Sequence, residues 1–307
     1  MEEIRIMGWG GWLKFVWKGH LTNWFWRDRQ KRRAIRKKYH KEAWIGLTDK
    51  YIPFVKSLKT APNSEHSPVD EKAFSLWFQG EQNAPEIVKK CLQTIRNEFG
   101  NNFILIDQGN YSEYVTLPSF IKEKWEIGEI CDAHLADLIR LELLKKYGGF
   151  WFDATDFMTG NVPQSIAELP FFMYMADEER AVNMFIQNCF IRSERDYPLV
   201  TMWLELLYEY WKHEKRAINY FFGQNLFKLL ITYNEEAKRL FEKMPKIDMS
   251  PTHRLWHKIG NEPYSEDEVI KMKADAFFQK CSHKRLKRGL HGIRKGSIAD
   301  CVINGRF

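Results

Sequence analysis

Apolar positions in the first half of the chain repeat with two periods. From Cys131 to Tyr147, the residues Leu135, Leu138, Ile139, Leu141, Leu143 and Leu144 predict a mostly apolar helix, with Asp137 and Arg140 three apart on one face. Gly148 and Gly149 supply the left-handed geometry that stops it. Phe150, Trp151 and Phe152 follow as a fully buried strand, so the chain emerges at Asp153, Ala154, Thr155 and Asp156 on the carboxyl edge of a sheet. Upstream, a strand is expected over about Phe74 to Phe78. Pro85 opens a helix to Phe99 with Ile87, Val88, Cys91, Leu92 and Ile95 inward, and a second strand runs from Phe103 to Asp107.

Strand, helix, strand, helix and glycine-bounded strand is the alternation of an α/β nucleotide-binding half. Open sheets of this kind bind ligands at the carboxyl ends of their strands. Beyond Asp156 the pattern becomes helical, with helices expected over Pro198 to Lys212, Phe222 to Tyr233 and Asn234 to Lys243. The aromatics Tyr208, Tyr210, Trp211, Tyr220, Phe221 and Phe222 stand at helical spacing, which favours core packing over sugar stacking. Gln224 and Asn225 are polar within that apolar context and suit either hydroxyl binding or a helix surface.

Length and composition agree with a globular enzyme of this size: 307 residues, 44% hydrophobic and 15% aromatic, bury one large core or two small ones. Five widely spaced cysteines without a Cys-x-x-Cys pattern suggest neither a disulfide framework nor a zinc site, and reduced thiols fit the cytoplasm. No run of 18 apolar residues occurs, and charges interrupt the N-terminal apolar residues, so neither a spanning helix nor a secretory signal is expected. There is no Gly-x-Gly-x-x-Gly or phosphate-loop lysine motif, which disfavours dinucleotide enzymes and ATPases.

The net charge of +7 is uneven. Residues 1 to 60 hold fifteen Lys or Arg against five Asp or Glu, leaving the remainder slightly acidic. In this arm Trp9, Trp12, Phe15, Trp17, Trp24, Phe25 and Trp26 precede a cationic stretch from Arg27 to Lys38. Indoles favour the headgroup layer and clustered cations are drawn to anionic lipid. The arm therefore reads either as a peripheral contact with an anionic membrane surface or as a helix packed on the body with a solvated charged face. No nucleic-acid partner is expected, because no recognised binding fold accompanies the charge. Thr60 to Asp70 reads as a linker, separating the arm (1–60) from the body (61–307).

Asp153 and Asp156 after a buried strand admit two readings. They are turn formers, or they hold a divalent cation against a diphosphate, whose departure requires its charge to be neutralised. Asp107, before Gly109 and Asn110, similarly reads as a loop former or a nucleoside contact. If the strand continues past Asp153, Asp156 points to the opposite face.

Three pieces carry a family resemblance: LWFQG at Leu76 to Gly80, ADLIR at Ala136 to Arg140, and YGGFWFDAT at Tyr147 to Thr155. The segment from about Phe74 to Lys284 resembles the capsular polysaccharide synthesis glycosyltransferases, relatives of glycosyltransferase family 32 and of the glucosylating domain of large clostridial toxins. The resemblance implies a GT-A-like α/β domain with a helical acceptor side, preceded by the basic helical arm. It implies that Trp77 stacks on the nucleobase, Asp137 binds ribose or sugar hydroxyls, Arg140 contacts donor sugar or phosphate, and Asp153 opens an Asp-x-Asp motif for Mn²⁺ or Mg²⁺. Thr155 stands where the wider family has its second aspartate, with Asp156 next. Near the C-terminus, His283 is implied as a further metal ligand and Lys284 as a phosphate contact.

The implied activity is transfer of a sugar, with retention, from a nucleotide donor, a UDP-sugar foremost, to a capsular or other surface glycan acceptor, lipid-linked at the inner face of the plasma membrane. The alternatives are a catalytically silent protein of the membrane surface and a metal-dependent hydrolase of nucleotide sugars.

Overall fold

A computed structural model describes residues 29–59, 72–176, 185–255, 262–283 and 294–306. The aromatic cluster Trp9 to Trp26, the linker at 60–70 and Lys284 lie outside the described residues.

The chain enters through a long helix, α1 (Arg29–Ser57), whose C-terminal half buries Ala43, Leu47, Tyr51 and Val55. This portion of the basic arm is therefore part of the core rather than an appendage. Strand β1 (Ala73–Leu76), helix α2 (Glu86–Phe99) and strand β2 (Phe103–Ile106) follow. The inner face of α2 is made by Ile87, Val88, Cys91, Leu92 and Ile95, as the 3.6-residue pattern requires. After a short helix, α3 (Ser119–Glu126), comes α4 (Asp132–Tyr147), which is buried around most of its circumference, with Leu135, Leu138, Ile139, Leu141, Leu143 and Leu144 in the core. Gly148 ends it at φ 67°, and a Cβ there would stand 2.7 Å from the backbone nitrogen of Arg195. Both the conformation and the contact demand glycine.

Strand β3 (Gly149–Phe152) lies parallel to β1 and is buried at every position. A tight turn leads to β4 (Asp156–Met158), and β5 (Phe171–Met175) and β6 (Ile186–Ser193) complete the sheet. The main sheet has the order β2-β1-β3-β6-β5, with β1, β2 and β3 parallel and β6 antiparallel to both β3 and β5. Beyond Asp156 two strands that the sequence reading did not name precede the expected helices: β5 and β6 bury Phe171, Phe172, Met173, Ile186, Cys189, Phe190 and Ile191 in the core.

Helices α5 (Pro198–His213), α6 (Phe222–Tyr233) and α7 (Glu235–Glu242) fall at the expected places. Tyr210, Trp211 and Phe222 are core residues, packed ring against ring, whereas Tyr220 is 53% exposed. Asn234 caps α7 through its side-chain oxygen and donates from Nδ2 to the carbonyls of Val55 and Leu58, tying the arm helix to the body. Helix α8 (Glu266–Asp275) leads to β7 (Phe278–Lys280), which pairs antiparallel with β4, and α9 (Ile298–Ile303) follows. All five cysteines are free and buried. No helix among the described residues is long and apolar enough to cross a membrane.

Candidate active site

The candidate site is assembled where β3 ends. Helix α4 brings Asp137 and Arg140 over one face, three residues apart and hydrogen-bonded to each other, Arg140 Nη1 donating to Asp137 Oδ1 at 2.8 Å. The second arm of the guanidinium donates to Asp153 Oδ1 at 3.1 Å, and the indole nitrogen of Trp151 donates to the same oxygen at 3.0 Å. The Arg140 guanidinium also lies over the Trp151 ring, 4.7 Å from its centroid. The three acidic and basic positions singled out in the sequence are thus brought together, with an indole whose sequence position marks it only as part of the strand.

Asp156 does not point to the opposite face. The strand breaks after Phe152, Asp156 N donates back to Asp153 O at 2.9 Å, and Asp156 Oδ2 accepts from Asp153 N at 3.1 Å. Both carboxylates converge on Lys280. Its Nζ donates to Asp153 Oδ2 at 2.7 Å and stands 3.0 Å from Asp156 Oδ1, the second contact being an ion pair without hydrogen-bond alignment. The cause is the β4–β7 ladder, in which Asp156 and Lys280 are direct partners. Sequence reasoning misses Lys280, since nothing in its local sequence tells which strand β7 pairs with.

A hydrogen-bonded chain extends the cluster. Asn188 Nδ2 donates to Asp137 Oδ1 at 3.2 Å, and Gln224 Nε2 donates to Asn188 Oδ1 at 3.1 Å. Asn188 reaches this position because the β5–β6 register jumps between Met173–Ile191 and Tyr174–Gln187, leaving Asn188 in an irregular stretch. Irregularities of this kind often re-aim a side chain at a site. Asp137, Arg140, Asp153, Asn188, Gln224 and Lys280 line a cavity of about 470 Å³. Tyr220 and Phe221 border it on the helical side, and the buried pair Gln187 and His253, 2.7 Å apart, borders it elsewhere.

Charge states follow from these contacts. Shelter from water pushes Asp153 up, but the Lys280 ammonium and Arg140 guanidinium outweigh it and hold this carboxyl below its usual range. Asp156, fully buried, is pushed up to about 7 because burial and the neighbouring Asp153 exceed the help of Lys280. Burial raises Asp137 to about 6 against the pull of Arg140. The carboxylates overcome desolvation at Lys280 and raise its pKa, so it is an ammonium throughout the physiological range.

The remaining expected residues fall elsewhere. Trp77 is not among the cavity-lining residues. It follows β1, packs perpendicular to the ring of His283 at 5.3 Å, and has a buried Nε1 with no hydrogen-bond partner among the described residues. His283 thus stands edge to face with Trp77. Asp107 closes its own turn, accepting from the backbone nitrogens of Gly109 and Asn110. The Thr155 carbonyl accepts from Cys281 N at 2.7 Å.

The donor set does not fit a divalent cation as it stands. At a diphosphate such an ion takes one or two protein carboxylates beside phosphate and water oxygens, and here the carboxylates on offer are already engaged: both oxygens of Asp153 and both of Asp156 face Arg140, Trp151, Lys280 or a backbone nitrogen. Among the described residues no cluster of three or more His, Cys, Asp or Glu is placed to hold a metal.

A family model described as capsular polysaccharide synthesis protein matches residues 23–291. An O-glycosyltransferase, braB, of Annulohypoxylon truncatum is 28% identical over 162 residues, covering 46% of this chain and 38% of the relative. The chain thus spans well under half the length of that curated relative. Among solved structures, the PaToxG glycosyltransferase is similar over 68% of this chain and 83% of its own, at 19% identity and a TM-score of 0.37.

Proposed function

The chain belongs to the capsular polysaccharide synthesis protein family, and from that premise we propose that it is a glycosyltransferase moving a sugar from a nucleoside diphosphate donor, a UDP-sugar foremost, to a capsular or other surface polysaccharide intermediate. The observation that carries the reading is the cluster of Asp137, Arg140, Asp153 and Lys280 in one cavity, at the carboxyl end of β3 in a sheet whose three strands β1, β2 and β3 are parallel. Switch points of such sheets receive nucleotides, and this placement supports the GT-A-like reading.

The cavity side chains have roles that their surroundings support. Asp137 has Oδ1 fixed by Arg140 and Asn188, while its Oδ2 accepts no hydrogen bond from the described residues and is left for a donor hydroxyl. Arg140 and Lys280 are cations on the cavity wall and oppose the charge that develops on the diphosphate as it leaves. Trp77, which follows β1 and packs on His283 outside the cavity lining, takes its proposed role as a flat face for a nucleobase from the family resemblance and not from its surroundings. Tyr220 and Phe221 offer aromatic faces to the acceptor sugar.

In the retaining reaction, the bond from the anomeric carbon to the β-phosphate oxygen breaks and its electron pair leaves with the diphosphate. The acceptor hydroxyl bonds to the anomeric carbon on the same face, and its proton passes to the departing phosphate. No protein nucleophile is needed. The basic arm brings this chemistry to an anionic membrane surface and to lipid-linked acceptors.

Calorimetry of UDP, GDP and CDP sugars on the wild type and on Asp153→Ala tests the proposal. Binding of one nucleotide class, lost in the variant, is expected. Absence of binding to every donor would favour a silent membrane-surface protein, and donor turnover without acceptor would favour a hydrolase. Loss of vesicle binding on deletion of residues 1–40 tests the arm.

A further inference from the structure

The divalent cation implied by the resemblance does not fit the oxygens present, and an ammonium stands where it would stand. We propose that Lys280 is the resident cation of this site, taking the place of the metal between Asp153 and Asp156 and compensating the charge of the donor diphosphate, so that nucleotide binding is independent of divalent ions. The inference rests on the glycosyltransferase reading and adds to it the identity of the charge that balances the leaving group.

Three observations carry it. First, Lys280 Nζ contacts one oxygen of each carboxylate, 2.7 Å from Asp153 Oδ2 and 3.0 Å from Asp156 Oδ1, which is the bridging position of an ion shared by two acidic residues. Second, the position is built into the backbone. The β4–β7 register places Lys280 across from Asp156, and Asp156 Oδ2 also fixes the turn through Asp153 N, so neither partner is free to swing away. Third, the assembly is closed below and open above. Asp156 has no exposure, the Lys280 side chain is 10% exposed, and Asp153 is 31% exposed. An ammonium has three donors. One is directed at Asp153, and Asp156 holds the charge without an aligned hydrogen bond. A donor therefore remains for a phosphate oxygen, Lys280 being one of the cavity-lining residues.

Thr155 fits the same account. With a lysine holding the two carboxylates, a second aspartate at this position has no cation to ligate, and the backbone there, whatever its side chain, accepts from Cys281 N beside Lys280 and keeps the two segments paired.

The test is nucleotide binding by the full chain, measured by calorimetry with UDP, GDP and CDP in excess EDTA and again in Mn²⁺, for the wild type, Lys280→Met and Lys280→Arg, together with Mn²⁺ binding followed by electron paramagnetic resonance. The wild type is expected to bind one nucleotide with affinity unchanged within about twofold between EDTA and Mn²⁺, and to bind no Mn²⁺ with the nucleotide present. In EDTA, Lys280→Met should weaken the nucleotide by about tenfold or more, the loss of one charge-assisted contact, while Lys280→Arg, which keeps the charge, should lose less. Lys280→Met should also gain Mn²⁺ binding in the presence of nucleotide, because the two carboxylates are released.

Wild-type binding that disappears in EDTA and returns with Mn²⁺ would overturn the proposal while leaving the transferase reading intact. Equal binding in EDTA by the wild type and Lys280→Met would overturn it too. No binding of any nucleotide under either condition would instead refute the transferase reading and this inference with it. Thermal melts of each variant identify a loss of binding caused by unfolding, in which case Lys280→Arg decides.

Discussion

Asp156 stands directly across from Lys280 in the β4–β7 ladder, and its carboxylate, fully buried, lies 3.0 Å from the Lys280 ammonium. Paired charges of this kind are costly to separate, because removing one partner strands the other away from water. Lys280→Met, which strands the fully buried Asp156, should therefore destabilise the fold by about 3–5 kcal/mol, and Asp156→Ala by less, because Lys280 keeps its hydrogen bond to Asp153. The double variant Asp156→Ala/Lys280→Met should lose less than the sum of the two single changes. Urea unfolding of the three variants, read as a double-mutant cycle, checks both statements, and additivity would show that the two residues are not energetically coupled.

Asp137 gives a pH dependence with a definite sign. Burial raises its carboxyl from 3.8 in the unfolded chain to about 6 in the fold, so the folded state holds a proton that the unfolded state has released between these values. Its contribution to stability is present below the unfolded pKa and is lost as pH rises through about 6. The unfolding free energy of the wild type minus that of Asp137→Asn should thus fall between about pH 4 and pH 6 and then level off. A difference that rises over this interval would show that Arg140 dominates burial at this carboxyl.

Arg140 joins Asp137 to Asp153 with two arms of one guanidinium and lies over Trp151. A lysine has no planar fork with which to do both. Arg140→Lys should retain the fold but weaken nucleotide binding about 10- to 100-fold, the range of one to two charge-assisted hydrogen bonds. Calorimetry beside a thermal melt separates the two effects.

Asn234 acts far from the cavity. It caps α7 and satisfies the Val55 and Leu58 carbonyls at the end of the arm helix, so Asn234→Ala removes a cap and leaves buried acceptors unpaired. A loss of about 1–3 kcal/mol is expected, with nucleotide affinity unchanged. Chemical denaturation and calorimetry on the same preparation measure the pair of outcomes.

Elements whose cause is local were legible. The period of α2 and of α4, the stop at Gly148 and Gly149, the buried strand β3 and the emergence of Asp153 at its end each depend on residues within one or two turns of one another. Asp137 and Arg140 were legible as a pair for the same reason, since helix geometry alone brings positions three apart together. Strands β5 and β6 were missed because short apolar runs in a helix-rich half have no period of their own to distinguish them.

The sequence by itself determined the alternating α/β elements, the acidic turn after β3 and the family to which the chain belongs, because these reside in spacing and in short motifs. The partners of that turn were decided only by the tertiary structure. Lys280, 127 positions from Asp153, meets it through the register of a two-stranded sheet, and Asn188 reaches Asp137 through a register jump between β5 and β6. A ladder's register is set by the packing of the whole core, and no residue near Asp153 encodes which side chain the opposite strand will place against it.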